Sequence, residues 1–238
     1  MFLVLVVLAP LAAWGAFGDI IASFAAPVND PVALAYTGGY LYCFTNTSPY
    51  RIYRLNPANG SVLSSSNSPA GTNTRGLEWD GTYLAFGNTS THYIFRGTTA
   101  GSVNSSFACA SMGNGLTYGG GNYWVSNSND RIYRVNGAGS VVSSFTTAFE
   151  PYDLAYAGSV LICGSHNPSH RLNKLSTTGS LIETAAAPAN FPWGATYDGT
   201  YLWVSTTTGT NRVWKLGAGT TTTAVEPSSF GRVKAAYR

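Results

Sequence analysis

Two carboxylates and one group of soft ligands are the residues here whose types and spacing could do chemistry. Glu78 lies in Arg75-Gly76-Leu77-Glu78 and Asp153 in Pro151-Tyr152-Asp153-Leu154. Two acids held roughly 5 to 9.5 Å apart would suit glycoside hydrolysis, one as proton donor and the other as nucleophile or base. Cys163, His166 and His170 have spacings open to a metal ion such as zinc. The plainer reading of that trio is structural. Cys163 follows Leu161-Ile162 in an apolar run, and Asn167-Pro168-Ser169 reads as an exposed loop between the two histidines. No GxSxG elbow, phosphate loop, paired CxxC or calcium loop occurs, and no cofactor is implied.

What must position these residues is a repeat. Nine-residue segments beginning at Tyr36, Trp79, Tyr118, Tyr156 and Tyr197 align without a gap, 43, 39, 38 and 41 residues apart. The last of them is Tyr197-Asp198-Gly199-Thr200-Tyr201-Leu202-Trp203-Val204-Ser205, followed by Arg212-Val213-Trp214-Lys215-Leu216. Short apolar runs separated by Gly, Asn, Asp and Ser predict strands, and a period near forty predicts one four-stranded sheet per repeat. The expected fold is all-β, a five-bladed β-propeller of four-stranded blades around a central channel. Asp80-Gly81 and Asp198-Gly199 then read as hairpin turns rather than catalytic acids.

The fifth repeat lacks an apolar outer strand and offers Thr220-Thr221-Thr222-Thr223 in its place. The first has a spare one upstream, Ile20-Ile21-Ala22-Ser23-Phe24, so the N-terminal strand is expected to complete the last blade and close the ring.

Aligning the repeats exposes columns. Tyr42, Trp124, Ile162 and Trp203 share one, which predicts packing between blades. Cys43 and Cys163 share another with Phe86, Val125 and Val204, so both read as buried hydrophobes, and Cys109, between blades, as the free thiol. Where the inner strands begin, Val32, Arg75, Asn114, Tyr152 and Trp193 fill one column, and Ala33, Gly76, Gly115, Asp153 and Gly194 the next. A ring holding cation, amide, phenol and indole in different blades could form an asymmetric mouth for a small ligand. The candidate ligand-binding residues are therefore Arg75, Asn114, Tyr152, Asp153 and Trp193. The plainer reading is ordinary variation at a solvated rim. Glu78, whose column is otherwise Ala35, Thr117, Ala155 and Thr196, is expected to face the channel with Asp153 as the second acid.

Composition narrows the partners. The formal charge is +3, and nine of the thirteen Lys and Arg belong to the repeat itself, spread around a ring with no basic patch for nucleic acid. Phe2 to Ala13 is apolar, too short to span a bilayer and followed by Ala13-Trp14-Gly15. Residues 1–15 are expected to be a signal peptide of a secreted or surface protein, with residues 17–219 as propeller and no later membrane span. Asn46, Asn59, Asn88 and Asn104 match the N-glycosylation pattern. In the tail, residues 220–238, Val233, Ala235 and Tyr237 alternate with basic residues, which suits strand addition to another sheet.

The recurring "GL.YDG..LWVS…RIYKL" pattern resembles secreted bacterial propellers with NHL- or YVTN-type repeats, from about Ile20 to Leu216. That resemblance implies architecture, and its members include binding modules, scaffolds and a few enzymes. Arg75-Gly76-Leu77-Glu78 also resembles part of the site of plant-type glutaminyl cyclotransferases, likewise said to be five-bladed. The leading expectation is a non-catalytic binding or scaffold module for a protein or glycan at the channel mouth. The alternative is an extracellular enzyme acting on a glycan or peptide through Glu78 and Asp153.

Overall fold

The structure, a computed structural model, describes residues 15–166, 169–207 and 211–219. The expected signal peptide up to Trp14 and the tail beyond Gly219 lie outside those residues. The described residues form strands and connecting turns, with no helix among them.

Strand β1 (Ile20–Ala25) comes first and stands apart from its neighbours in sequence. Blade 1 is β2 (Pro31–Thr37), β3 (Tyr40–Thr45), β4 (Arg51–Leu55) and β5 (Val62–Asn67). Blade 2 is β6 (Thr74–Trp79), β7 (Leu84–Asn88), β8 (Tyr93–Gly97) and β9 (Val103–Ala108). Blade 3 is β10 (Gly115–Gly119), β11 (Asn122–Asn127), β12 (Arg131–Val135) and β13 (Val141–Thr146). Blade 4 is β14 (Pro151–Ala157), β15 (Val160–Ser165), β16 (Arg171–Ser176) and β17 (Leu181–Ala186). Blade 5 has β18 (Pro192–Tyr197), β19 (Tyr201–Thr206) and β20 (Arg212–Gly217), and β1 pairs antiparallel with β20 as its fourth strand. The ring therefore closes through the N-terminal strand, with Phe24 opposite Val213 and Ala25 opposite Arg212. Pairing β1 there removes the open edge that β20 would otherwise present.

Why these residues form this ring is visible in the columns. Tyr42, Trp124, Ile162 and Trp203 are all nearly fully buried between blades, as are Cys43, Phe86, Val125, Cys163 and Val204. The cation at the fourth position of each third strand lies over an aromatic ring. Arg54 sits 4.0 Å from the centre of Tyr40, Lys174 4.3 Å from Phe17, and Lys215 3.8 Å from Tyr201. These cations recur because they pack against aromatic faces, a role independent of any nucleic acid. The turn aspartates behave as expected. Asp80 accepts from the amides of Thr82 and Tyr83, and Asp198 from those of Thr200 and Tyr201.

The cysteines and one of the asparagines in the glycosylation pattern take definite structural places. Cys109 is free, as expected, and fully buried, and Cys43 and Cys163 are likewise free and buried. Asn88 is buried, donates to the carbonyls of Ala70 and Thr72 and accepts from the amides of Ser90 and Thr91. A side chain with all of those partners is a loop organiser, not a glycan acceptor.

Candidate functional site

The varied column owes its position to a bulge. In blades 1, 2, 4 and 5 the inner strand carries one extra residue against its neighbour near its start. Arg75 faces Gly87 and Leu77 faces Phe86, leaving Gly76 unpaired. Pro192 faces Thr206 and Gly194 faces Ser205, leaving Trp193 unpaired. Such bulges bend the strand and re-aim its side chains. At Gly76 the backbone takes a φ of +68°, and a Cβ there would lie 2.4 Å from the Leu116 nitrogen of blade 3. Gly115 is held as tightly, with its missing Cβ 2.4 Å from the Asp153 Cα. The small column thus lets the inner strands touch at the axis.

Asp153 is the exception in that small column, and its side chain joins three blades. It is completely buried, and its oxygens accept from the amides of Leu116 in blade 3 and Ala195 in blade 5, both at 3.0 Å. Burial pushes its carboxyl well above the ordinary range, with the nearby Glu78 charge adding to the rise, while the amides of Leu116, Ala195 and Leu154 pull it back. Glu78 is 8% exposed and accepts from the Trp79 amide at 2.9 Å and the Thr117 hydroxyl at 2.8 Å. Thr117 in turn accepts from the Tyr156 amide, so Glu78 is tied through blade 3 to blade 4. Burial raises the Glu78 carboxyl to about 8 against those hydrogen bonds. Both acids therefore stitch the inner ring, and neither lines the cavity that opens between blades 2 and 3.

Above them Arg75, Trp193 and Tyr152 form one stack. The Arg75 guanidinium carbon is 4.4 Å from the Trp193 ring centre, and Tyr152 lies 4.2 Å away with its plane at 17°. Both groups are within stacking distance of the indole. The stack continues from Tyr152 to His166, 6.1 Å between centres, and from His166 to Phe191 at 4.7 Å. Trp193 is thus engaged by both Arg75 and Tyr152. Burial lowers the Arg75 pKa, opposed by Asp30, Tyr152 and Asp153.

Beside the stack a cavity of about 380 Å³ opens between blades 2 and 3. Arg75 and Asn114 line it together with Thr89, His92, Ser111 and Asn127. Asn114 also reaches across to blade 4, donating to the Pro151 carbonyl at 3.3 Å. Arg75 Nη1 is buried with no hydrogen-bond partner. The other arginines with an unpartnered buried nitrogen, Arg51, Arg54, Arg131 and Arg134, leave Nε instead, the inner edge of the fork. The structure therefore brings Arg75, Tyr152 and Trp193 into contact, sets Asn114 beside Arg75 in the cavity wall, and seals Asp153 below. His92 was missed in the columns, because the loop that carries it varies in length between repeats.

The soft ligands do not assemble. Cys163 packs with Trp124, Ile132, Leu154 and Leu175 in the hydrophobic interior, whereas His166 and His170 stand 5.0 Å apart, centre to centre, by Phe191. His170 Nδ1 is engaged by the Phe191 amide at 3.3 Å. Among the described residues no three His, Cys, Asp or Glu side chains are grouped to hold a metal ion. The reason is strand direction: Cys163 points between sheets, and the histidines follow only after β15 has ended.

No model of a known protein family matches this chain, and no curated protein sequence does. Solved structures are similar in fold. A crystal structure of the glutaminyl cyclase of Myxococcus xanthus matches with a TM-score of 0.71 at 15% identity, over 83% of this chain and 94% of its own. A protein of unknown function from Bacteroides caccae matches with a TM-score of 0.52 at 14% identity, over 75% and 71%. The WD40 propeller domain of Doa1 matches with a TM-score of 0.50 at 12% identity, over 76% and 62%. At such identities the likeness carries the propeller fold and nothing finer, whether repeat family or chemistry.

Proposed function

We propose that this propeller is a non-catalytic binding module whose site is the mouth of the channel at blades 2 and 3. The observation that carries this reading is Arg75. Its Nη1 is buried without a partner while the side chain lines a cavity and is held in place by Trp193. A buried donor left unpaired is unfavourable by roughly 1–3 kcal/mol, more for a charged group, and a small shift of the side chain toward an acceptor on a bound ligand would recover it. The mouth is built of side chains from several blades on a rigid ring, as binding sites on repeat folds commonly are. Export to the cell exterior is part of the proposal, supported by the apolar run from Phe2 to Ala13.

The enzyme alternative draws on the likeness in fold to a glutaminyl cyclase, and the geometry does not favour it. Glu78 and Asp153 accept hydrogen bonds from neighbouring blades and lie away from the cavity. Glycan and peptide arrays probed with wild type and Arg75→Ala test the reading. Capture that disappears with Arg75 supports it. Turnover of a captured molecule that is abolished in Glu78→Gln, with capture intact, overturns it.

A further inference from the structure

The walls of the cavity between blades 2 and 3 specify more than a generic ligand. Arg75 is the one Arg, Lys, Asp or Glu among the lining residues, so a negative group meets a guanidinium and no carboxylate in the wall itself, Asp30 and Asp153 acting on Arg75 from outside it. Trp193 packs against that guanidinium 4.4 Å from its carbon, and the planar fork suits a carboxylate's two oxygens. The rest of the wall is hydroxyl, amide and imidazole. Asn127 accepts the Asn129 amide on Oδ1 at 3.1 Å, which turns its Nδ2 donor to other partners. His92 Nδ1 lies 3.0 Å from the Met112 carbonyl, and a carbonyl can only accept. Nδ1 therefore carries the proton, and Nε2 of the neutral ring is left as an acceptor for a hydroxyl. Ser111, Thr89 and Ser128 add hydroxyls. At about 380 Å³ the cavity sits near the small end of ligand sites, which run from roughly 300 to 1,000 Å³.

We infer that this cavity takes a small hydroxylated carboxylic acid of the sugar-acid class, its carboxylate on Arg75 and its hydroxyls on His92, Asn127 and the serines. The inference rests on the binding reading above and names its ligand class. Selection comes from charge and hydrogen bonds, because the lining holds no Trp, Tyr or Phe for a neutral sugar ring to stack upon. The probes are D-glucuronate, D-glucose and inorganic phosphate, titrated into the full chain and followed by the backbone amide signals of Gly113, Asn114 and Asn129. Glucuronate is expected to bind at least tenfold more tightly than glucose, and more tightly as salt is lowered.

Asn127→Asp keeps the oxygen that holds the Asn129 amide and replaces a donor with a negative acceptor. It should weaken glucuronate at least tenfold with an unchanged melting temperature. Arg75→Gln removes the charge and should do the same, so that loss of stability in one variant leaves the other as the test. Equal binding of glucose and glucuronate, or binding of phosphate alone, overturns the ligand class and leaves the binding module standing. Glucuronate binding unchanged in both variants, or no response to any probe, also overturns it. In the last case the binding module is judged by the arrays alone.

Discussion

Replacing Glu78 by Gln should make the protein's stability less sensitive to pH, and the size of the effect follows from where the carboxyl sits. The side chain is 8% exposed, and burial raises it from an ordinary value of 4.5 to about 8. A group that holds its proton more tightly when folded contributes stability fully below the unfolded value and loses it as pH rises toward the folded value. Between pH 4.5 and 8 the unfolded chain ionises while the folded chain does not. Each pH unit in that window removes about 1.4 kcal/mol, giving a ceiling of about 5 kcal/mol. Against a typical domain stability of about 5–15 kcal/mol, that is a large fraction. Gln keeps an oxygen for the Trp79 amide and can place its own amide on Thr117, so the contacts are conserved while the titration is removed. The assay is urea unfolding followed by tryptophan fluorescence at pH 5, 6, 7, 8 and 9. The stability of the variant minus that of wild type should climb from pH 5 and level off above about pH 8. A difference that stays flat across pH 5 to 8 would refute the assignment of a neutral, buried Glu78.

Two further outcomes follow from the ring itself. Asp153→Ala removes the acceptor of the Leu116 and Ala195 amides, which join blades 3, 4 and 5, and should destabilise by about 2–6 kcal/mol at roughly 1–3 per orphaned amide. Asp153→Asn keeps one acceptor and should lose less, so equal melting temperatures for the two variants would show that the amides find other partners. Deleting Asp19 to Phe24 takes β1 from β20 and the Phe24 ring from Trp203, and should lower the melting temperature and promote aggregation. An unchanged melting temperature would mean that another segment closes blade 5.

The sequence by itself determined the ring. Five in-register repeats reveal a five-bladed propeller, because each strand's apolar residues must meet the next blade and therefore recur at the blade's period. The spare strand Ile20 to Phe24 and the missing one after Leu216 likewise predict the closure, since a sheet edge needs a partner. Column alignment even gathered Arg75, Asn114, Tyr152 and Trp193 at one level of the ring and set Asp153 at the next. What it could not separate were their roles, because these depend on distances between residues some forty positions apart. Only the tertiary structure decided that Arg75 and Tyr152 both lie against Trp193, that Asp153 is bonded to the amides of both neighbouring blades, and that Arg75 keeps a buried Nη1, rather than Nε, without a partner. It likewise parted Cys163 from His166 and His170, since consecutive strand residues point to opposite faces and spacing along the chain does not say which. A repeat specifies its architecture many times over, whereas a site is written once, in whichever residues break the repeat.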